Sequence, residues 1–292
     1  MRDPQELRAQ ADEILELHEQ GELDAAMAAC DALLAEAADA DVTDEVVRES
    51  VFTARFQRAV LLTEREELEA AGQAYAEAAA TPTDLDDPDQ RHELAMALLN
   101  QGISLDALGA PQEALRVYEQ LVVRLGDADD PVTADQVVRA QVNRAAALLA
   151  LDRVHEALTV TEALSGELDF QDVLEAEQLV MALRLRAAAL RELGRSAEAA
   201  HALAEVEQAN DEEPGARAQI AAALGERAGL LVELDRQAEA IAVLERATRR
   251  FADDPEPEVT AVAEELCRTE AEVLDLVGEH DRAAEVRERV GS

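Results

Sequence analysis

The sequence predicts an all-α protein, an α-solenoid of about seven helix–turn–helix repeats that form a superhelix. The first observation behind this prediction is a skeleton of small, leucine and turn residues that recurs every 41 to 45 residues. The second is a composition rich in Ala, Leu, Glu and Arg, with 2% aromatic residues. The third is the lack of the period-2 alternation that is typical of strands. Together they favour an array in which each repeat buries its core against its neighbours.

The clearest copy of the skeleton comprises Gly102, Leu105, the turn residue Gly109, Ala114 and Tyr118. A small residue on each helix lets the two backbones approach closely, and the leucine fills the space beside them. The turn residues of the seven copies are Gly21, Glu66, Gly109, Asp152, Gly194, Asp235 and Gly278. A leucine stands four residues before every turn, and an alanine stands five residues after it. The position seven before the turn is small in all copies except the first, which has Ile14.

These positions divide the chain, as one solenoid over 1–292, into repeats at about 5–43, 44–86, 87–130, 131–170, 171–212, 213–255 and 256–290. The predicted helix pairs are 5–19 and 23–38, 44–64 and 67–80, 88–107 and 111–125, 132–150 and 154–164, 171–192 and 196–210, 214–233 and 237–251, and 257–276 and 280–290. Prolines in acidic loops, such as Pro88 and Pro131, mark helix starts. The aspartates before Pro131 lack the Gly and Glu of an EF-hand loop, so they are interpreted as helix caps.

The pattern resembles the tetratricopeptide repeat (TPR), a helix–turn–helix unit of about 34 residues with small, aromatic and Ala signatures. The units here are longer, and they are similar to the repeats of about 42 residues in kinesin-light-chain-like and many bacterial TPR arrays. The resemblance covers about residues 5–290. It implies that the first helix of each repeat lines a concave groove, and it specifies a fold rather than a function.

Charge and composition argue against several classes of function. The 65 acidic and 26 basic residues give a net charge of −39, which disfavours binding to nucleic acid or to anionic membranes. Neither a signal peptide nor a membrane-spanning segment is predicted. Cys30 and Cys267 form no metal-binding or redox motif, and no metal or other cofactor is predicted. We expect a cytoplasmic protein, either monomeric or weakly homo-oligomeric.

No catalytic motif is present, so no enzyme activity is predicted. The candidate site is the groove, where the resemblance places the position nine before the turn. In repeats two to four this position holds Gln57, Asn100 and Asn143. A carboxamide both donates and accepts hydrogen bonds and can therefore hold a peptide backbone. The resemblance implies this role, because Asn at this position holds peptide backbones in kinesin-light-chain-like and co-chaperone TPR arrays. The alternative is that these side chains cap or brace neighbouring helices.

Further groove positions in these repeats are apolar. They are Phe56 and Val60, Leu99 and Ile103, and Val142 and Ala146. These side chains would either form pockets for a peptide or belong to the core. A basic set, Arg139, Arg184 and Arg191, would either capture a carboxylate through forked hydrogen bonds or pair internally with Glu177, Glu192 or Glu226. Another arginine column, eight before the turn, is predicted to brace adjacent repeats; it holds Arg58, Arg144, Arg186 and Arg227.

The sequence therefore predicts a non-enzymatic scaffold that binds a peptide segment of a protein partner in its groove. One alternative is a peptide-sensing regulator whose superhelix changes conformation when a peptide binds. Another is a structural subunit that uses its convex face, although few apolar residues are expected there.

Overall fold

The computed structural model describes residues 3–38, 40, 43–82, 84–170 and 172–290. Its described part contains fourteen α-helices and no strand. They are α1 (Pro4–Glu19), α2 (Leu23–Glu36), α3 (Glu45–Glu64), α4 (Leu68–Ala79), α5 (Pro88–Ala107), α6 (Pro111–Leu125), α7 (Pro131–Ala150), α8 (Val154–Glu167), α9 (Val173–Glu192), α10 (Ser196–Ala202), α11 (Pro214–Glu233), α12 (Gln237–Phe251), α13 (Pro257–Leu276) and α14 (His280–Val290). The predicted all-α solenoid of helical repeats is confirmed.

The chain forms two compact units, residues 1–151 with α1 to α7 and residues 152–292 with α8 to α14. In the first unit, each helix packs on the next, and α1, α3, α5 and α7 also pack on one another in that order. In the second unit, α11 packs on both α9 and α13 in the same way. We call the side formed by α1, α3, α5 and α7 the first-helix surface of unit 1.

Every predicted turn residue has a left-handed backbone conformation. The φ angle is +70° at Gly109 and +61° at Glu66, and all seven turn positions lie between +57° and +83°. Glycine adopts this region without a steric penalty, whereas a residue with a Cβ is disfavoured there. The turns at Glu66, Asp152 and Asp235 therefore retain some strain that the four glycine turns avoid.

The alanine and aromatic positions of the skeleton are buried. All seven alanines five residues after the turn have 0% exposure, from Ala26 to Ala283. The aromatic position is also buried, with Tyr75 at 3% and Tyr118 at 0%. Cys30 occupies the same position with 0% exposure, as expected for a small apolar side chain rather than a reactive thiol.

The acidic loops cap the helices that follow them. The Asp130 carboxylate accepts a hydrogen bond from the Thr133 backbone N–H at 2.8 Å, and Pro131 begins α7. Asp44 and Asp87 cap α3 and α5 in the same manner. A carboxylate at this position satisfies a free N–H and complements the positive end of the helix dipole. No cluster of three potential metal-binding side chains occurs in the part of the chain that the structure describes.

One helix differs clearly from the prediction. α10 ends at Ala202 rather than near residue 210, and a short 3₁₀ helix follows at Glu205–Gln208. This tighter path keeps Val206 fully buried and brings the Asn210 N–H to within 2.7 Å of the Phe170 carbonyl oxygen. The start predicted for α9 at residue 171 lies outside the described residues, among which α9 begins at Val173. No helix in the described regions is long and apolar enough to cross a membrane.

Candidate functional site

The three carboxamides lie on consecutive first helices of unit 1. Gln57 is on α3, Asn100 on α5 and Asn143 on α7, and each is partly exposed. They occupy the same position relative to their turns, so the repeat geometry places them in a row across the first-helix surface. The structure thus brings together the residues that the sequence separates by 43 positions.

Asn100 makes one local hydrogen bond. Its Nδ2 atom donates to the backbone carbonyl of Met96, one turn earlier in α5, at 2.8 Å. No hydrogen bond to its Oδ1 atom is observed within the described residues. Removing this side chain would therefore break no hydrogen bond between described helices, and the Oδ1 atom is available to a ligand.

Asn143 has a structural contact as well. Its side-chain amide lies near the hydroxyl of Tyr118, which donates a hydrogen bond to the Asp106 carboxylate at 2.7 Å. Burial and, next, the nearby Asp106 raise the pKa of Tyr118, whereas the Asn143 contact lowers it. The proximity of Asn143 on α7 to Tyr118 on α6 is compatible with the bracing alternative, and the side chain is partly exposed.

Gln57 and its neighbour Phe56 lie on α3, the first of the three helices that carry the row. The Gln57 Oε1 atom is buried and has no hydrogen-bond partner among the described residues. Phe56 is partly buried, with its ring centroid 5.6 Å from that of Phe52 and 5.5 Å from that of Tyr75. Phe56 therefore contributes mainly to packing between α3 and α4.

The apolar groove residues separate into core and surface. Leu99 is 2% exposed and Val142 is 1% exposed, so both belong to the core in this structure rather than to a pocket wall. Ile103, one turn after Leu99 on the same face of α5, is 42% exposed. The two residues therefore differ in how far neighbouring helices cover them and not in the face that they occupy. Ile103 and the small Ala146 are the exposed apolar residues of this set, and Val60 is partly buried.

The three arginines are divided between the two units, and each has a carboxylate neighbour within its own unit. In unit 2, Arg184 Nε donates to Glu226 at 3.0 Å and Arg191 donates to Glu233 at 2.6 Å, each across to α11. Pairing of Arg184 with Glu226 was one of the internal alternatives, whereas Glu233 was not foreseen. Arg139, in unit 1, lies 4.0 Å from Asp135 of its own helix and its side chain is 46% exposed. Arg191 is the most exposed of the three, at 61%, but it is held by Glu233, whereas Arg139 has only the long contact to Asp135 among the described residues.

A buried ion pair on the same helices was not predicted. Arg48 of α3 pairs with Glu93 of α5, and their side chains are 3% and 13% exposed. Burial raises the pKa of Glu93 to about 6, opposed by the hydrogen bond from Arg48. The two residues stand in different repeats and match no motif, so only a search for opposite charges 45 residues apart would have suggested the pair.

An apolar surface depression lies on the first helices of unit 2. It has a volume of about 440 Å³ and a mostly apolar lining from α11 and α13, including Gly225, Val262 and Leu266. Glu226 and Thr269, at the position nine before their turns, flank it. The position that carries the carboxamides in unit 1 thus borders an apolar depression in unit 2.

No family model and no curated protein matches the sequence. Solved structures do match the fold. The apo form of RapI has a TM-score of 0.60 and 11% identity, and the match covers 98% of this chain and 99% of RapI. The apo form of the quorum sensor NprR from B. thuringiensis has a TM-score of 0.56 and 10% identity, covering 97% and 85%.

A kinesin light chain with nearly identical TPR-like repeats from Podosopora anserina has a TM-score of 0.53 and 18% identity, covering 71% of this chain and 95% of its own. Identities this low describe a shared architecture and no shared activity. The protein therefore has the fold of TPR-like helical-repeat proteins.

Proposed function

We propose that the protein is a non-enzymatic scaffold that binds an extended peptide segment of a partner protein across the first-helix surface of unit 1. The observation that carries this proposal is the row of Gln57, Asn100 and Asn143, one partly exposed carboxamide on each of three adjacent helices. Such a row offers amide groups at repeated intervals without selecting a side chain. Because the Gln57 Oε1 atom is buried, Asn100 and Asn143 are the main positions for accepting a hydrogen bond from the peptide.

The spacing of the row suits an extended chain. Packed helices are separated by about 8–10 Å, and an extended peptide advances about 3.3 Å per residue. Each carboxamide would then meet the peptide backbone about every third residue. Ile103 offers an apolar contact beside Asn100, and Arg139, one turn before Asn143, offers a cation to an acidic group on the peptide.

A library of linear peptides displayed on phage tests the proposal without knowledge of the partner. Peptides selected on the wild-type protein are synthesised, and their affinities are measured by fluorescence anisotropy. We expect Asn100→Ala to weaken binding about tenfold, which corresponds to one lost hydrogen bond of about 1.4 kcal/mol. The double variant Asn100→Ala with Asn143→Ala should abolish measurable binding.

Thr159→Ala is the matched control. The Thr159 hydroxyl also donates to the carbonyl one turn earlier, at 3.0 Å, but it lies on α8, outside the proposed surface. The control should bind as the wild type does. Because Asn143 also lies near the buried Tyr118, the helicity and melting temperature of each variant are measured in parallel. Selected peptides that bind the folded double variant with wild-type affinity would refute the proposal.

A second candidate is a peptide-sensing regulator, which the same site would serve. The match to the quorum sensor NprR, over 97% of this chain, supports considering it. A sensor must change conformation when its peptide binds, since binding alone conveys no signal. Small-angle scattering with and without a selected peptide distinguishes the two: a sensor changes its radius of gyration, and a rigid scaffold does not.

A further inference from the structure

Arginines brace successive repeats at a fixed position. The residue eight before the turn is an arginine that pairs with a carboxylate in the second half of the preceding repeat at three interfaces: Arg58 with Asp31 at 3.1 Å, Arg144 with Glu119 at 3.9 Å, and Arg227 with Glu207 at 2.6 Å. The predicted bracing role is confirmed for these three. In each pair one guanidinium nitrogen faces a carboxylate oxygen of the preceding repeat, so opposite charges meet across the interface.

The last interface reverses this charge. In repeat seven the equivalent residue is Glu270 of α13, which is 2% exposed. Its carboxylate accepts a hydrogen bond from the Thr248 hydroxyl of α12 at 3.0 Å. The position that carries Asp31 and Glu119 in other repeats is also a carboxylate here, Glu245. Two acids thus face each other where an arginine and an acid stand elsewhere.

A cavity of about 510 Å³ opens at this place, between α12, α13 and α14. Five carboxylates, three arginines and Cys267 contribute to its lining. One of the arginines, Arg282, is occupied by ion pairs with Glu245 and Glu279. The C-terminal end of α12 also borders the cavity through Ala252. A helix C-terminus carries partial negative charge and therefore favours a cation.

Glu270 forms no ion pair with a described residue. At three other interfaces a carboxylate faces an arginine of the next repeat, and these carboxylates are Asp31, Glu119 and Glu207. Burial is the largest influence on its pKa and raises it, and the nearby Arg282 and Arg289 lower it less. A buried carboxylate gains most from a partner that can supply both charge and directed hydrogen bonds. The volume is also within the range of about 300–1,000 Å³ that is usual for sites of small ligands.

We propose that this cavity binds a guanidinium group, carried either by free arginine or by an arginine side chain of a partner, and that the Glu270 carboxylate receives it. The bound group takes the place that Arg58, Arg144 and Arg227 fill in repeats two, four and six. This site belongs to unit 2 and is separate from the carboxamide row, so its test is independent of the proposed peptide function.

Isothermal titration with three probes tests the assignment. The probes are L-arginine, the end-blocked peptide Gly-Arg-Gly and its Gly-Lys-Gly counterpart. We expect saturable binding of at least one arginine probe and at least tenfold weaker binding of the lysine peptide. Binding of free arginine alone indicates a metabolite, and binding of the peptide alone indicates a protein partner. Equal binding of both peptides, or no binding of either arginine probe at 10 mM (about 2.7 kcal/mol of affinity), would overturn the proposal.

Glu270→Gln keeps the shape of the side chain and removes its charge. This variant should bind the arginine probe at least tenfold more weakly than the wild type does. Glu272 is an exposed residue of the same helix, and Glu272→Gln should leave the affinity unchanged. Alkylation of the unaltered protein provides a measurement that needs no variant. Cys267 lines the cavity and is partly exposed, whereas Cys30 is fully buried. A bound arginine probe should slow alkylation of Cys267 by iodoacetamide, and an unchanged rate at saturating probe contradicts the assignment.

Discussion

Adding one methyl group at Gly102 should lower the free energy of unfolding substantially. A Cβ atom placed on Gly102 would lie 2.2 Å from Cε1 and 2.7 Å from Cζ of Tyr118. The Tyr118 ring has 0% exposure and its hydroxyl is held by Asp106, so it has no free space in which to move. Gly102→Ala must therefore strain the packing of α5 against α6 and also displace the tyrosine from its hydrogen bond.

The expected cost follows from three contributions. Overpacking of a core costs about 1–3 kcal/mol, and loss of a hydrogen bond to a charged group costs about 1.5–3 kcal/mol. The higher helix propensity of alanine returns about 1 kcal/mol. We expect Gly102→Ala to lower the free energy of unfolding by about 3 kcal/mol, measured by urea denaturation followed by circular dichroism at 222 nm.

Two variants make this prediction specific. At Gly229, in helix α11, an added Cβ meets no atom within 4 Å, so Gly229→Ala should be stabilising by up to about 1 kcal/mol. Combining Gly102→Ala with Tyr118→Leu recreates the Ala and Leu pair that repeats five and six have at these positions, and it should recover part of the loss. The reasoning is refuted if Gly102→Ala is as stable as the wild type.

Two further predictions concern charge and turn geometry. Because burial raises the pKa of Glu93 from 4.5 to about 6, the native state binds the extra proton. Its contribution to stability is thus complete below pH 4.5 and is lost by about pH 6, by at most about 2 kcal/mol. Glu93→Gln should remove this slope from urea midpoints measured between pH 4.5 and 6.5, and an unchanged slope would assign it to other groups. Glu66→Gly should raise the free energy of unfolding by up to about 1 kcal/mol, because Glu66 has a φ of +61°, which disfavours a residue with a Cβ. If the variant is less stable than the wild type, the Glu66 side chain itself stabilises the turn.

The positions with local causes could be predicted well. The left-handed turn at Gly109 and its six equivalents, the buried alanines such as Ala114, and the caps such as Asp130 each depend on residues within one hairpin. The bracing role of the arginines eight before the turn was also predictable, because equivalent positions in successive repeats lie at equivalent helix interfaces. Periodicity therefore reveals both the helix pairs and their packing positions.

Other features depended on distances that the sequence does not contain. Leu99 and Ile103 are both apolar and four residues apart, yet one is core and the other surface, because the depth of packing between first helices decides it. The early end of α10 depends on where Val206 finds a buried site. The pairing of Arg48 with Glu93 depends on two rotamers that meet across repeats.

The sequence by itself thus determined the repeat: seven helical hairpins, their turns and the faces that they bury. Only the tertiary structure decided which polar groups stay partly exposed, as Asn100 does, and which are enclosed, as Glu270 is. The physical reason is that a fold is set by many similar apolar contacts that repeat along the chain. A site depends on a few polar atoms whose burial and partners are settled only when the helices pack.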